Sequence, residues 1–185
     1  VLSVIATRDR PKTRCFRQRD SFTRAKCLEF ARQNRERINS LELLYTTLLY
    51  LIQPLVWLRL LLRSRKAPAY RKRWAERYGF CQNKVEPDGI LLHSVSVGET
   101  LAAIPLVRAL RHRYPSLPIT VTTMTPTGSE RAMSAFGKDV HHVYLPYDLP
   151  GAMNRFLNTV QPKLVIVMET ELWPNMVAAL HKRKI

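Results

Sequence analysis

Four short apolar segments decide the fold of this chain, and they are residues 90–97 (ILLHSVSV), 118–123 (PITVTT), 140–145 (VHHVYL) and 163–168 (KLVIVM). Each is typical of a buried strand. Stretches with helical spacing of apolar residues follow them, at about 101–114, 129–136, 151–160 and from 173 onward. Strands that alternate with helical crossovers predict an α/β domain with a parallel, right-handed, doubly wound sheet. The chain stops at Ile185, where a fifth strand is expected, so the pattern also predicts a truncated domain.

The most apolar stretch precedes this domain, at residues 41–62 (LELLYTTLLYLIQPLVWLRLLL). As a helix it would be roughly 33 Å long, close to the hydrocarbon thickness of a bilayer. Only Glu42 and Arg59 are charged, and each lies near an end. Pro54 would kink the helix, which membranes tolerate better than protein cores do. A single-span anchor is favoured, while an interfacial helix and a buried core helix remain open.

Positive charge is concentrated in two segments. The formal net charge is +16, of which residues 1–40 contribute +7 and residues 59–84 contribute +8. Basic residues beside an apolar helix keep that flank in the cytoplasm and attract anionic headgroups. The basic residues of this run are Arg59, Arg63, Arg65, Lys66, Arg71, Lys72, Arg73, Arg77 and Lys84. Interleaved Tyr and Trp would also suit nucleic acid, but the adjacent apolar helix favours a membrane with anionic lipids over nucleic acid.

These shifts in composition divide the chain into four parts. Residues 1–40 are predicted to be a basic leader outside the fold, and residues 41–62 the membrane anchor. Residues 63–88 form a basic juxtamembrane segment, and residues 89–185 form the α/β domain. Three cysteines without a CxxC pair argue against a disulfide framework.

Known nucleotide and metal signatures do not occur in the sequence. Neither GxGxxG nor GxxxxGK[ST] is present, and no His, Cys and Asp residues have the spacing of metal ligands. A metal-independent reaction without a cofactor is therefore expected.

Ligands of open parallel sheets bind beyond the carboxyl ends of the strands, and candidate residues follow two strands there. Glu99 follows the first strand and opens a helix, where it could act as a general base or simply cap the helix. Glu169 and Glu171 follow the fourth strand, and only one of them is expected to face the cleft. The loop at residues 122–128 could bind a phosphate or a sugar, or could be an ordinary turn.

The histidines carry weaker signals. His93 lies inside a predicted strand and is expected to be a hydrogen-bonded core residue. Surface positions are predicted for the others, which are His112, His141, His142 and His181.

Several segments together resemble one enzyme family: SVGE at 96–99, TVTTMTPTGSERA at 120–132, HVYLPYDLP at 142–150 and METELWPN at 168–175. With residues 41–80 they resemble the 3-deoxy-D-manno-octulosonic acid (Kdo) transferases of lipopolysaccharide assembly. The resemblance covers residues 41–185 and does not extend to residues 1–40.

The resemblance implies an inverting glycosyltransferase with two Rossmann-like domains, of which this chain is the N-terminal one. Such enzymes transfer Kdo from CMP-Kdo to a lipid A precursor, lipid IVA, at the cytoplasmic face of the inner membrane. It implies that Glu99 is the proton acceptor and that Glu169 stabilises the transition state. The domain that binds CMP-Kdo would lie beyond this chain, so the chain alone is expected to be inactive. The alternative is a membrane-tethered binding or scaffolding module with a Rossmann-like domain.

Overall fold

The computed structural model describes residues 2–4, 21–81, 85–168 and 173–185, with side chains from residue 40 onward. In the described part of the chain, five strands form one sheet: β1 (Leu2–Val4), β2 (Ile90–His93), β3 (Ile119–Thr123), β4 (His141–Tyr144) and β5 (Leu164–Met168). Their order is β1-β5-β2-β3-β4. Strands β5, β2, β3 and β4 are parallel, and β1 pairs antiparallel with β5. The predicted parallel α/β sheet is confirmed.

The α-helices among the described residues are α1 (Ser21–Lys66), α2 (Val97–Arg113), α3 (Pro126–Phe136), α4 (Pro150–Val160) and α5 (Pro174–Lys182). Short 3-10 helices occupy Pro68–Arg71, Trp74–Tyr78 and Gly137–Asp139. The helices after β3, β4 and β5 lie where the sequence predicted them. Helix α2 begins at Val97, within the segment that was predicted to be strand, so that prediction was wrong at residues 94–97.

Two apolar cores cover the two faces of the sheet. One core packs α4 and α5, through residues such as Phe156 and Met176, against alternate strand residues that include Leu91 and Val165. The other packs α2 and α3 against the opposite set, which includes Leu92 and Val121. Because successive strand residues point to opposite faces, this alternation produces three layers, helix on sheet on helix.

Helix α1 is different from the other helices. Its part Ser40–Lys66 is long and apolar enough to cross a membrane, and its most apolar stretch is not enclosed by the rest of the protein. The buried core helix that the sequence left open is therefore wrong. The helix crosses the boundary predicted at residue 40, and Leu2–Val4 form β1 of the sheet, so residues 2–4 and 21–40 are not separated from the fold as predicted.

The segment between α1 and β2 is fixed to the α/β domain at Gly79. This residue has a φ of +85°, and a Cβ atom there would lie 2.1 Å from the carbonyl oxygen of Ala152 in α4. Only glycine adopts this conformation and allows this approach without strain. The 3-10 helix Trp74–Tyr78 is thereby held against α4.

Candidate active site

The strand order creates a crevice beside β2. From β2 the chain passes through α2 and α3 to β3 and β4 on one side, and then through α4 to β5 on the other side. Neighbouring strands β2 and β5 therefore lie where the direction of winding reverses. In doubly wound sheets, ligands bind at the carboxyl ends of the strands at this switch point. Glu99 lies in the first turn of α2, directly after the short loop that follows β2.

Glu99 belongs to a capping box at the start of α2. Its own amide donates to Oγ of Ser96 at 3.2 Å, while Oε1 accepts from the amide of Ser96 at 3.1 Å. Its second oxygen, Oε2, accepts from the amide of Val95 at 2.8 Å. The capping role considered from the sequence is therefore confirmed.

The same geometry leaves Glu99 accessible. Its side chain is half-buried, and Ser96, Val97 and Gly98 beside it are exposed. A carboxylate oxygen has two lone pairs, and the capping box engages one on each oxygen. A Cβ atom at Gly98 would meet only Oγ of Ser96, at 3.8 Å, among the described residues. A polar ligand could therefore approach the carboxylate along this open side of the turn.

His93 lies beneath this turn at the end of β2. It is fully buried, its Nδ1 lies 2.9 Å from Oγ1 of Thr122, and its ring contacts Trp173 edge to face. Burial lowers the pKa of His93 to about 4, although the nearby charge of Glu99 acts in the opposite direction. Nε2 has no hydrogen-bond partner among the described residues, so the expected core histidine is only half satisfied.

The candidate segment at residues 122–128, which includes the end of β3 and the start of α3, has its hydroxyl groups engaged within the protein. Thr122 pairs with His93, and Oγ1 of Thr123 lies 3.0 Å from Nε2 of His142. Thr125 caps α3 by accepting from the amide of Gly128 at 3.1 Å. These contacts favour the turn over the phosphate or sugar loop that the sequence left open.

Two further candidates cannot be placed. Glu169 and Glu171 lie outside the described residues, which stop at Met168 at the end of β5 and resume at Trp173. The role expected for Glu169 stays a prediction.

Part of the basic run is folded into the domain. Arg73 donates to both carboxylate oxygens of Glu76 at 2.7 Å and to the carbonyl of His142 at 2.9 Å. Glu76, only 1% exposed, also accepts from the amide of Tyr144 at 2.9 Å. The pair ties the 3-10 helix to the edge strand β4 and satisfies an amide there.

Arg77 is also structural. It is 3% exposed, donates to the carbonyl of Met124 at 3.2 Å, and stacks over the ring of Tyr144. The prediction that the whole basic run faces lipid headgroups is therefore wrong for Arg73 and Arg77. Among the residues of the run that the structure describes, the exposed basic ones are Arg59, Arg63, Arg65, Lys66, Arg71 and Lys72.

His142 is a second correction, because it was predicted at the surface and is 4% exposed. Burial, and to a smaller extent the charge of the Arg73 guanidinium, lower the pKa of His142 to about 4. Strand alternation could have indicated this, since His141 and His142 must point to opposite faces of a sheet that is covered on both sides.

Asp148, which follows β4, connects the carboxyl end of the sheet to the start of α5. It is 2% exposed, and its carboxylate accepts from the amides of Asn175 and Met176 at 2.9 and 2.8 Å, which caps α5. Burial raises the pKa of Asp148, and these two amide hydrogen bonds oppose the rise.

Among the described residues, no group of three His, Cys, Asp or Glu side chains could hold a metal ion.

Comparison with known proteins assigns this arrangement to a family. The sequence model of the 3-deoxy-D-manno-octulosonic-acid transferase (kdotransferase) family matches residues 72–185. The chain belongs to the Kdo transferase family. The matched residues begin after α1 and include all of the parallel strands. They also include Arg73, Glu76 and the capping turn that contains Glu99.

Individual relatives agree with this assignment. The chain is similar to the 3-deoxy-D-manno-octulosonic acid transferase of Haemophilus influenzae, with 57% identity over 76% of this chain and 34% of that protein. It is 38% identical to a probable mitochondrial transferase of the same name from Arabidopsis thaliana, over 74% of this chain and 31% of the relative. The Bordetella pertussis transferase is 37% identical over 76% and 35%. The chain thus spans about a third of the length of these relatives.

Proposed function

We propose that this chain is the acceptor-side part of a glycosyltransferase that moves Kdo from CMP-Kdo to lipid IVA, with inversion. The observation that carries the proposal is the accessible carboxylate of Glu99 at the switch point of the sheet. Membership of the Kdo transferase family supports the reaction class.

In this reaction Glu99 is the general base. Its carboxylate takes the proton of the acceptor hydroxyl while that oxygen attacks the anomeric carbon of Kdo, and the bond from this carbon to the phosphate of CMP breaks. The hydrogen bonds from the amides of Val95 and Ser96 hold the carboxylate in one orientation, so little rearrangement is needed before proton transfer. Neither a metal nor a cofactor is required by this scheme.

Glu169 is proposed to stabilise the transition state. It follows Met168, the last residue of β5, and β5 is the hydrogen-bonded neighbour of β2. The carboxyl ends of β5 and β2 are adjacent. Glu169 follows β5 in the sequence, and Glu99 follows β2.

The proposed location is the cytoplasmic face of the inner membrane, beside anionic lipids. The exposed apolar surface of α1 and the exposed basic residues at its C-terminal end support attachment to such a membrane. Confinement to the surface that contains the lipid acceptor raises its effective concentration.

The direct experiment is a transfer assay with the longer protein that contains this chain. The protein is purified in detergent and incubated with CMP-Kdo and lipid IVA, and the product is identified by mass. We expect a mass increase of at least one Kdo, and a fall in turnover for Glu169→Gln of about 10²-fold, the range of one missing electrostatic contact. Glu171→Gln is the matched control and should keep more than half of the activity.

Absence of any Kdo adduct would contradict the proposal and favour the membrane-tethered binding module. A normal turnover of Glu169→Gln would contradict only the role of that residue. The 185-residue chain by itself is expected to give no adduct.

A further inference from the structure

Helix α1 is docked to the α/β domain along one face, and the first docked contact among the described side chains is at Tyr45, near the middle of the helix. Tyr45 donates to Oδ2 of Asp148 at 3.1 Å, and Thr46 donates to Oδ1 of Asn175 at 3.1 Å. Asp148 follows β4 and Asn175 opens α5, so both belong to the carboxyl edge of the sheet. The helix therefore lies against the same edge as Glu99.

The docked face continues along the helix. The hydroxyl of Tyr78 donates to Oε1 of Gln53 at 3.0 Å and accepts from the indole N–H of Trp57. Further on, Leu60 is 8% exposed. From Tyr45 to Leu60 the docked length is about 22 Å, at 1.5 Å per residue.

The opposite face is apolar and open. Large hydrophobic side chains with exposures between 46% and 70% cover the helix surface away from the docked contacts, and they are Leu41, Leu43, Leu44, Leu48, Tyr50, Leu51, Ile52, Leu55, Leu58, Leu61 and Leu62. A surface of this extent marks an interaction site.

Charge indicates what covers this face. Exposed basic residues lie at its C-terminal end, and they are Arg59, Arg63, Arg65 and Lys66. Glu42 is the one acidic residue between positions 40 and 66. Leu55, Leu58 and Leu62 share a shallow groove with Arg59, Arg63 and Lys66. Apolar surface that passes directly into positive charge complements acyl chains below anionic headgroups.

A helix that crosses the bilayer would conflict with the docked face. Asp148, Asn175 and the N-terminus of α5 would have to enter the hydrocarbon with it, where charged and polar groups are strongly unfavourable. We infer that α1 lies in the plane of the membrane surface, with its apolar face in one leaflet and its docked face toward the α/β domain. This inference rests on the proposed membrane attachment, and it replaces the single-span anchor expected from the sequence. It also brings the carboxyl edge that carries Glu99 to headgroup level.

Depth measurements along α1 distinguish the two orientations. In the 185-residue chain with its cysteines changed to serine, single cysteines at Leu44, Leu51 and Leu58 are labelled with a fluorophore. These positions are seven residues apart and share one face, because seven residues complete nearly two turns. The chain is bound to vesicles of phosphatidylethanolamine and phosphatidylglycerol, and quenching by spin-labelled lipids gives the depth of each label. A label at Met133, which is 50% exposed on α3, is the aqueous control.

We expect the three labels on α1 to lie at one shallow depth and the Met133 label to stay in water. A spanning helix would instead separate positions 44 and 58 by about 21 Å in depth, and that result would overturn the inference. Vesicle-bound protein whose α1 labels are not quenched by lipid would also overturn it, since another part of the protein would then cover the face. Failure to bind vesicles would contradict the attachment itself, whereas Kdo transfer is tested separately by the mass assay.

Substitutions give an independent readout. Leu51→Glu should weaken vesicle binding about tenfold or more, because a carboxylate would enter the acyl region. The matched change Met133→Glu, with the same charge and similar exposure, should alter binding less than twofold. Equal binding by the two variants would overturn the in-plane orientation.

Discussion

Glu76 and Glu99 are the same residue in similar local positions, and the protein surrounds them differently. Each lies in the first turn of a helix and accepts a hydrogen bond from a backbone amide. Glu76 is 1% exposed and paired with Arg73, whereas Glu99 is half-buried and receives backbone amides at a turn that is open to solvent. The environment, and not the residue type or helix position, separates a structural carboxylate from one that can meet a substrate.

The largest expected effect on stability lies at Glu76. Glu76→Gln should lower the free energy of unfolding by about 3–5 kcal/mol, because it leaves the Arg73 guanidinium without its counter-charge in a largely buried site. Chemical denaturation followed by circular dichroism measures this loss. A loss of unfolding free energy below about 1 kcal/mol would show that Glu76 is not a structural carboxylate, and its contrast with Glu99 would then fail.

The second effect depends on pH and concerns the two buried histidines. Their pKa values are about 4 in the folded protein, below the ordinary value of 6.5, so the unfolded state binds more protons between these limits. The free energy of unfolding should therefore fall as the pH drops from about 6.5 to 4, by about 1.4 kcal/mol per pH unit for each histidine. Above pH 7 the free energy of unfolding should no longer depend on the protonation of these two histidines.

His142→Gln separates the contributions of the two sites. Denaturation at several pH values should show about half of the wild-type slope in this variant, with the remainder due to His93. An unchanged slope would mean that His142 is not the neutral, buried group beside Arg73.

The sequence predicted the sheet well and the side-chain environments poorly, for a physical reason. Strand periodicity indicates burial, and it placed β3, β4 and β5 within one or two residues. It extended β2 through residues 94–97 because Val95 and Val97 continue the apolar alternation. The Ser96 and Glu99 spacing of a capping box was the competing local signal, and it determines the structure there.

Arg73 and Tyr45 illustrate what the sequence leaves undecided. The partners of Arg73 that lie outside its own segment are Ser129 and His142, more than fifty residues away, and Tyr45 meets Asp148 across 103 residues. Composition places both residues in a basic or apolar stretch, but only the tertiary contacts show that each faces the domain. Glu99 could be proposed from the sequence as a candidate base because it lies next to a strand end, which is a local feature.

A smaller effect is expected at Ser96, which caps the turn that holds Glu99. Ser96→Ala and Thr125→Ala each remove one helix cap at the carboxyl edge, and each should cost about 1 kcal/mol of stability. Only Ser96→Ala should also lower Kdo transfer by the longer protein, since Ser96 orients the turn that holds Glu99. Equal activities of the two variants at a temperature where both are folded would show that the turn need not be rigid.

Glu99→Gln in the longer protein tests the central claim most directly. Glutamine keeps an oxygen for one of the two amide hydrogen bonds but cannot accept a proton from the acceptor hydroxyl. The turnover number for Kdo transfer should fall by about 10²–10⁴-fold, while the free energy of unfolding changes by less than about 1 kcal/mol. A turnover near that of the unmodified protein, with the fold intact, would contradict the assignment and leave Glu99 as a helix cap.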